Sequence, residues 1–196
     1  PQKLAPSYPY SESGYPPQTA TSEYPDMWTS SAAMLAVTER IRVVCGVYVL
    51  PLRNPIEVAK QAATLSILSK GRFALGAGTG WMKEEFDLYG VDFKTRGRRM
   101  DEMIEVLRGL WTGDYFEYHG EFFDFDPIVV SPKPSHEIPL YLGGAAPIAL
   151  RRTARKPPSC SRKPMALIKP QRLAIRRAGG SVSFCTQMIS QAIMPQ

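Results

Sequence analysis

From Met27 to Arg155 the apolar positions follow two periods in turn, the alternation of strands and the wider spacing of helices. The stretch Ile41 to Leu50, IRVVCGVYVL, is apolar on both alternating faces, as a strand covered on both sides must be. Asn54-Pro55 then offers a helix cap followed by proline at the first helical position, and IEVAKQAATLSILSK runs on to a stop at Gly71. A short strand, RFALG, leads into the turn GAGTGW and a brief helix around MKEEFDLYG. Thr95 stands where the cap of a longer helix belongs. In that helix Met100, Met103, Ile104, Leu107, Leu110 and Trp111 share one face, with Asp101, Glu102, Glu105 and Arg108 turned away from it. Upstream, Asp26 is placed to cap a helix over MWTSSAAMLAVTER. Downstream, DYFEYHGEFFDFD alternates aromatic and acidic residues and predicts short surface strands, and PLYLGG predicts a third buried strand with a helix starting in APIALRRTAR. Repeated strand–helix units with short returns predict a parallel α/β sheet, either open and doubly wound or a (β/α)8 barrel. Residues 1–25, rich in proline, serine and tyrosine, read as a long surface loop, and after Arg155 no further strand or helix is expected.

Composition narrows the function classes. With 196 residues and 44% apolar content the chain can bury a core. The longest apolar run, Val43 to Leu52, falls well short of the roughly 20 residues that cross a bilayer. The first thirty residues hold no apolar leader segment, so a cytoplasmic protein without a membrane partner is expected. Cys45, Cys160 and Cys185 are odd in number without CxxC spacing, and His119 and His136 are the only histidines, so neither a disulfide framework nor a metal site is expected. The net charge of +6 belongs to the tail: residues 151–196 hold ten of the 24 bases and no acid, leaving 14 bases and all 18 acids in residues 1–150. No nucleic acid is therefore expected for residues 1–155, whereas the tail, residues 156–196, reads either as a polyanion-binding arm or as a disordered, non-native extension.

Candidate chemistry gathers where strands end. Gly76, Gly78 and Gly80 are spaced GxGxG, and Trp81 stands where a dinucleotide fingerprint needs its third glycine, so a Rossmann loop is not supported. Alternating glycines at a strand's carboxyl end allow a flat ring or a phosphate to approach the backbone, and they equally serve a tight turn. Thr79 has a hydroxyl for a ring edge or for its own turn. Glu84 and Glu85 sit in the first turn of the short helix, where acids favour the dipole; Glu85 has in addition the option of orienting a ring or moving a proton. Gly46 inside a buried strand, and Gly143-Gly144-Ala145 at the end of the third strand, repeat the pattern of small residues. His119 and His136 read as exposed and inert, and Cys45 as a small core residue.

Taken together, GVYVLPLRNPIEVAKQAATLSILSKGRFALGAGTGW, EEFDLYGVDF, RGRRMDEMIEVLRGLWTG, YHGEFFDFDP and PLYLGGAAPIALRRTAR resemble the luciferase-like monooxygenase superfamily, most of all its deazaflavin (coenzyme F420)-dependent branch, over roughly residues 6–155. The resemblance implies a (β/α)8 barrel, often dimeric, that holds an isoalloxazine-type ring at the carboxyl ends of its strands. A bulge, often with a non-prolyl cis peptide, is implied in the strand matching Val44 to Val49. Gly46, Val47 and Tyr48 would then back the ring, Thr79 and Gly80 would lie beside it, and Gly143, Gly144 and Ala145 would approach the phosphate or the ribityl chain. Glu85 joins them as a candidate cofactor-binding residue, and no catalytic residue is assigned. The implied activity is hydride transfer between reduced F420 and a small organic substrate, with an FMN-dependent monooxygenase as the alternative and a non-catalytic remnant with a basic tail as the alternative of another class. The match implies the middle of the barrel, a partial (β/α)8 domain over residues 1–155 lacking the first and last units. Such an open barrel is expected to expose strand edges, to leave Val47 and Leu75 without partners, and to be marginally stable.

Overall fold

The computed structural model describes residues 23–143 together with two short strands, 166–168 and 183–186. Helix α1, Met27–Ala36, starts where Asp26 accepts a hydrogen bond from the amide of Thr29 at 2.8 Å. It stops four residues before the expected Arg40. The cause lies in Arg72, whose guanidinium donates to the carbonyls of Leu35 (2.9 Å) and Ile41 (3.0 Å) and to the Thr38 hydroxyl (3.2 Å), holding the end of the helix and the chain beyond it in place.

The apolar run Ile41 to Leu50 is not one strand. It forms β1, Arg42–Cys45, and β2, Tyr48–Val49, separated by a cis peptide between Gly46 and Val47, as the family resemblance implies. Both pieces pair in parallel with β3, Phe73–Gly78, with Val43 opposite Phe73 and Tyr48 opposite Ala77. Strand β3 is therefore longer than RFALG: Gly76 and Ala77 pair with β6, and Ala77 and Gly78 pair with β2, so bonds on both sides keep the glycines in the sheet. All six residues of β3 are buried.

Helix α2, Pro55–Leu68, begins with Asn54 accepting from the amide of Ile56 at 2.8 Å and Pro55 at its first position. Helix α3, Lys83–Leu88, is short, with Lys83 and Asp87 paired at 2.6 Å on its exposed side. Helix α4, Arg96–Leu110, does not start from a Thr95 side-chain cap. A 3-10 turn, Phe93–Thr95, precedes it; Asp92 caps that turn, and the Thr95 hydroxyl donates to the Asp92 carbonyl at 2.7 Å. The expected apolar face of α4 is observed, with Met100, Met103, Ile104, Leu107 and Leu110 all buried.

Strands β4, Phe116–His119, and β5, Asp124–Ile128, form a separate antiparallel hairpin with an irregular register. Strand β6, Leu140–Gly143, returns to β3 in parallel, Leu75 opposite Leu140. Two strands follow where none was expected: β7, Ala166–Ile168, pairs with β6, and β8, Ser183–Thr186, pairs with β1, both in parallel. The sheet runs β7-β6-β3-β1-β8 with β2 beside β3, and it does not close into a barrel among the described residues. Unsatisfied edge amides explain why even short segments add here. Leu75, expected to lack partners, is fully buried in a core shared by α1, α2, α4 and the sheet.

Arg72 also donates to the Ser69 carbonyl at 2.8 Å, so one side chain joins the ends of α1 and α2 to the start of β3. Arg72→Ala is expected to lower stability by at least about 2 kcal/mol in urea titration, because it strips partners from several partly buried carbonyls at once; Arg72→Lys, with no fork, restores less than half.

Candidate functional site

All parallel strands end on one side, and three of those ends meet around Val47. A β-carbon on Gly78 would lie 2.8 Å from Val47 Cγ2, and one on Gly143 would lie 2.9 Å from Val47 Cγ1. The side chain of Val47 thus rests across the last residues of β3 and β6, in space that only glycines leave open. Tyr48 follows it, half-buried, with its ring edge-on to Trp28 at 5.4 Å. Burial pushes the Tyr48 phenol above its ordinary value.

The chain leaves β3 through Thr79 and Gly80, both half-buried. Gly80 has φ of +79°, and a β-carbon there would strike the Phe86 ring at 2.7 Å, so the turn demands glycine on two counts. Phe86 fixes α3 under this turn, packing with Val49 and Leu52, and the next residue back, Glu85, faces inward with it. Glu85 is only 4% exposed, and its Oε1 has no hydrogen-bond partner. Burial raises its carboxyl from 4.5 to about 7, against a smaller opposing pull from Arg53.

Arg53 follows the 3-10 turn Leu50–Leu52 that ends β2. Its Nη1 donates to the Tyr89 hydroxyl at 3.1 Å, and its guanidinium carbon lies 5.0 Å from the Tyr48 ring centre and 5.1 Å from that of Tyr89.

The structure therefore brings together Gly46, Val47, Tyr48, Thr79, Gly80 and Gly143, and sets Glu85 beside them through its neighbour Phe86. Gly144 and Ala145 lie outside the described residues, as does the helix expected after them. Sequence reasoning passed over Arg53 and Tyr89, which belong to no periodic pattern and stand 36 residues apart. It also set Glu102 aside as outward-facing. Its carboxylate accepts from the amides of Glu121 (2.9 Å), Phe122 (3.0 Å) and Phe123 (3.3 Å), tying the hairpin turn to α4. His119 is exposed as expected; its Nδ1 lies 2.6 Å from Asp124, and that hydrogen bond raises its pKa. His136 is likewise exposed, and Cys45 is buried in the core, its thiol donating to the Gly76 carbonyl at 3.1 Å. Among the described residues no group of His, Cys, Asp and Glu could hold a metal ion, and no helix is long and apolar enough to cross a membrane.

A parallel sheet whose strand ends converge on small residues is the α/β arrangement in which ligands are generally bound at the carboxyl edge. Residues 8–156 match the family model described as luciferase-like monooxygenase, and the chain belongs to that family. It is 45% identical over 148 residues to an uncharacterized protein of Mycobacterium tuberculosis, covering 76% of this chain and 51% of that protein. It is 38% identical over 109 residues to an FMNH(2)-dependent dimethylsulfone monooxygenase of Pseudomonas putida, covering 54% of this chain and 30% of the other. Among solved structures, an F420-dependent secondary alcohol dehydrogenase bound to an F420-acetone adduct superposes with a TM-score of 0.56 at 27% identity, over 61% of this chain and 38% of that one. The chain spans about half the length of the curated relative from M. tuberculosis.

Two outcomes follow from the packing. Gly78→Ala forces Val47 aside and is expected to destabilise by about 1–3 kcal/mol, while adding Val47→Ala recovers part of that loss; a double-mutant cycle by chemical denaturation measures the coupling. For Glu85 the folded pKa lies above the unfolded one, so its contribution is complete below about 4.5 and is lost as pH rises through about 7. Stability of the wild type relative to Glu85→Gln should therefore fall by about 2–3 kcal/mol across that window, read from denaturation curves at several pH values.

Proposed function

We propose that the chain is the ring-binding portion of an oxidoreductase that holds a reduced deazaflavin or flavin against Val47 and acts on a small organic substrate. The observation that supports this most is the seat of Val47 on Gly78 and Gly143, which offers a flat ring an apolar backing at the strand ends without obstruction from β-carbons there. Gly46, Val47 and Tyr48 would back the ring, with Thr79 and Gly80 at its edge. Glu85 is the candidate for a polar contact, since its Oε1 lacks a partner. Gly143, Gly144 and Ala145 are proposed for the side chain of the cofactor.

The bound group would supply the hydride or electron chemistry, and the protein its orientation and shelter from water. Coenzyme F420 is the preferred cofactor, in keeping with the fold shared with the F420-dependent alcohol dehydrogenase. FMN is the second reading, supported by the 38% identity to the FMNH(2)-dependent monooxygenase. With FMN, reduced flavin would meet oxygen before the substrate.

Equilibrium dialysis of the 196-residue protein against F420 and against FMN, followed by absorbance, tests the reading. Retention of one ligand is expected, weakened at least about tenfold by Val47→Glu, which sets a charge against the ring face. A folded protein that retains neither ligand, or a folded Val47→Glu variant that retains them unchanged, overturns it. Preference between the two ligands decides between the F420 and FMN readings.

A further inference from the structure

The guanidinium of Arg53 has two usable edges, and the protein employs one. Nη1 is committed to the Tyr89 hydroxyl at 3.1 Å. Nε is buried without a partner, and Nη2, which shares its edge, makes no hydrogen bond among the described residues. No carboxylate among the described residues forms an ion pair with Arg53. Two tyrosine rings, Tyr48 and Tyr89, flank the group at 5.0 and 5.1 Å and restrict its rotation, so the unused Nε/Nη2 edge has a set direction. Next in the chain is the N-terminus of the 14-residue helix α2, whose dipole favours negative charge.

We propose that Arg53 is an oxyanion-binding residue: its Nε and Nη2 donate in parallel to two oxygens of a carboxylate or phosphate bound at the carboxyl edge of the sheet. A side-on pair of N–H donors matches the spacing of two oxygens on one carbon or phosphorus atom, which a lysine cannot reproduce. Glu85 is the internal competitor. It is buried nearby with an unpartnered oxygen, but it stays on α3 without closing onto the arginine. Protonation removes its charge and with it the competition, leaving Arg53 uncompensated for an incoming anion. The inference goes beyond ring binding and survives its failure, since the two anions titrated directly, inorganic phosphate and benzoate, contain no flavin.

The test follows the Arg53 Nε–H signal in proton–nitrogen correlation spectra of the full 196-residue protein, identified by its loss in Arg53→Lys. Inorganic phosphate and benzoate are titrated separately. At least one should move this signal saturably, and Arg53→Lys, folded by circular dichroism, should bind that anion about tenfold or more weakly in calorimetry. Tyr89→Phe, which frees Nη1 and keeps the edge, should retain binding. The two sources of the anion separate by competition. Displacement of benzoate by FMN and not by riboflavin assigns the edge to a cofactor phosphate. Displacement by neither assigns it to a substrate carboxylate. Equal binding by wild type and Arg53→Lys overturns the proposal, as does an Nε signal that ignores both anions.

Discussion

Contact between the methyl groups of Val47 and the backbones of Gly78 and Gly143 is the constraint around which the carboxyl ends of the strands are arranged. A valine can lie there only if the interrupted strand β1–β2 turns its Gly46–Val47 link toward β3, and only if β3 and β6 end in residues without side chains. The pairing register satisfies the second condition, placing Ala77 between Tyr48 and Leu142 and leaving Gly78 and Gly143 at the margin. The valine platform therefore depends on sequence positions about a hundred residues apart arriving at one height in the sheet.

Charged side chains do the joining elsewhere. Arg72 gathers carbonyls at the base of the sheet, where α1 and α2 end, and Glu102 gathers amides at the hairpin. The two are mirror images in chemistry: a fork of donors meets the negative ends of two helices, and a carboxylate meets a run of free N–H groups. Arg98 and Arg99 lie over Phe122 and Phe123 in the same hairpin turn, so the excursion is held by charge and ring contacts together.

How far the sequence disclosed this depended on the range of each interaction. Helices α2 and α4 were legible from their periodic apolar faces, and Asp26 and Asn54 from cap chemistry that acts within three residues. Thr95 misled because Asp92, three residues earlier, captured the turn first. The break in Ile41 to Leu50 was signalled by Gly46 alone, and its form came from the family resemblance. The extension of β3 through Gly78 was hidden because glycine advertises a turn, whereas pairing on both edges keeps it extended. Arg53 and Glu102 could not be found at all, since their partners lie 36 and about 20 residues away and no local pattern announces them. Strands β7 and β8 have three and four residues, too few to show a period, and their existence is a property of the edges they cover.

The indole of Trp28 touches both halves of this picture, edge-on to Tyr48 at 5.4 Å and tilted against Phe73 at 5.7 Å. It is 8% exposed, so bulk solvent hardly reaches it, and one tyrosine separates it in space from the valine platform. The protein consequently carries its own optical gauge: emission from a tryptophan in this setting responds to small rearrangements of Tyr48, and it overlaps the absorption of flavin-like chromophores. A flavin-like group bound at the edge of the sheet would thereby register in the emission of Trp28, without any label attached.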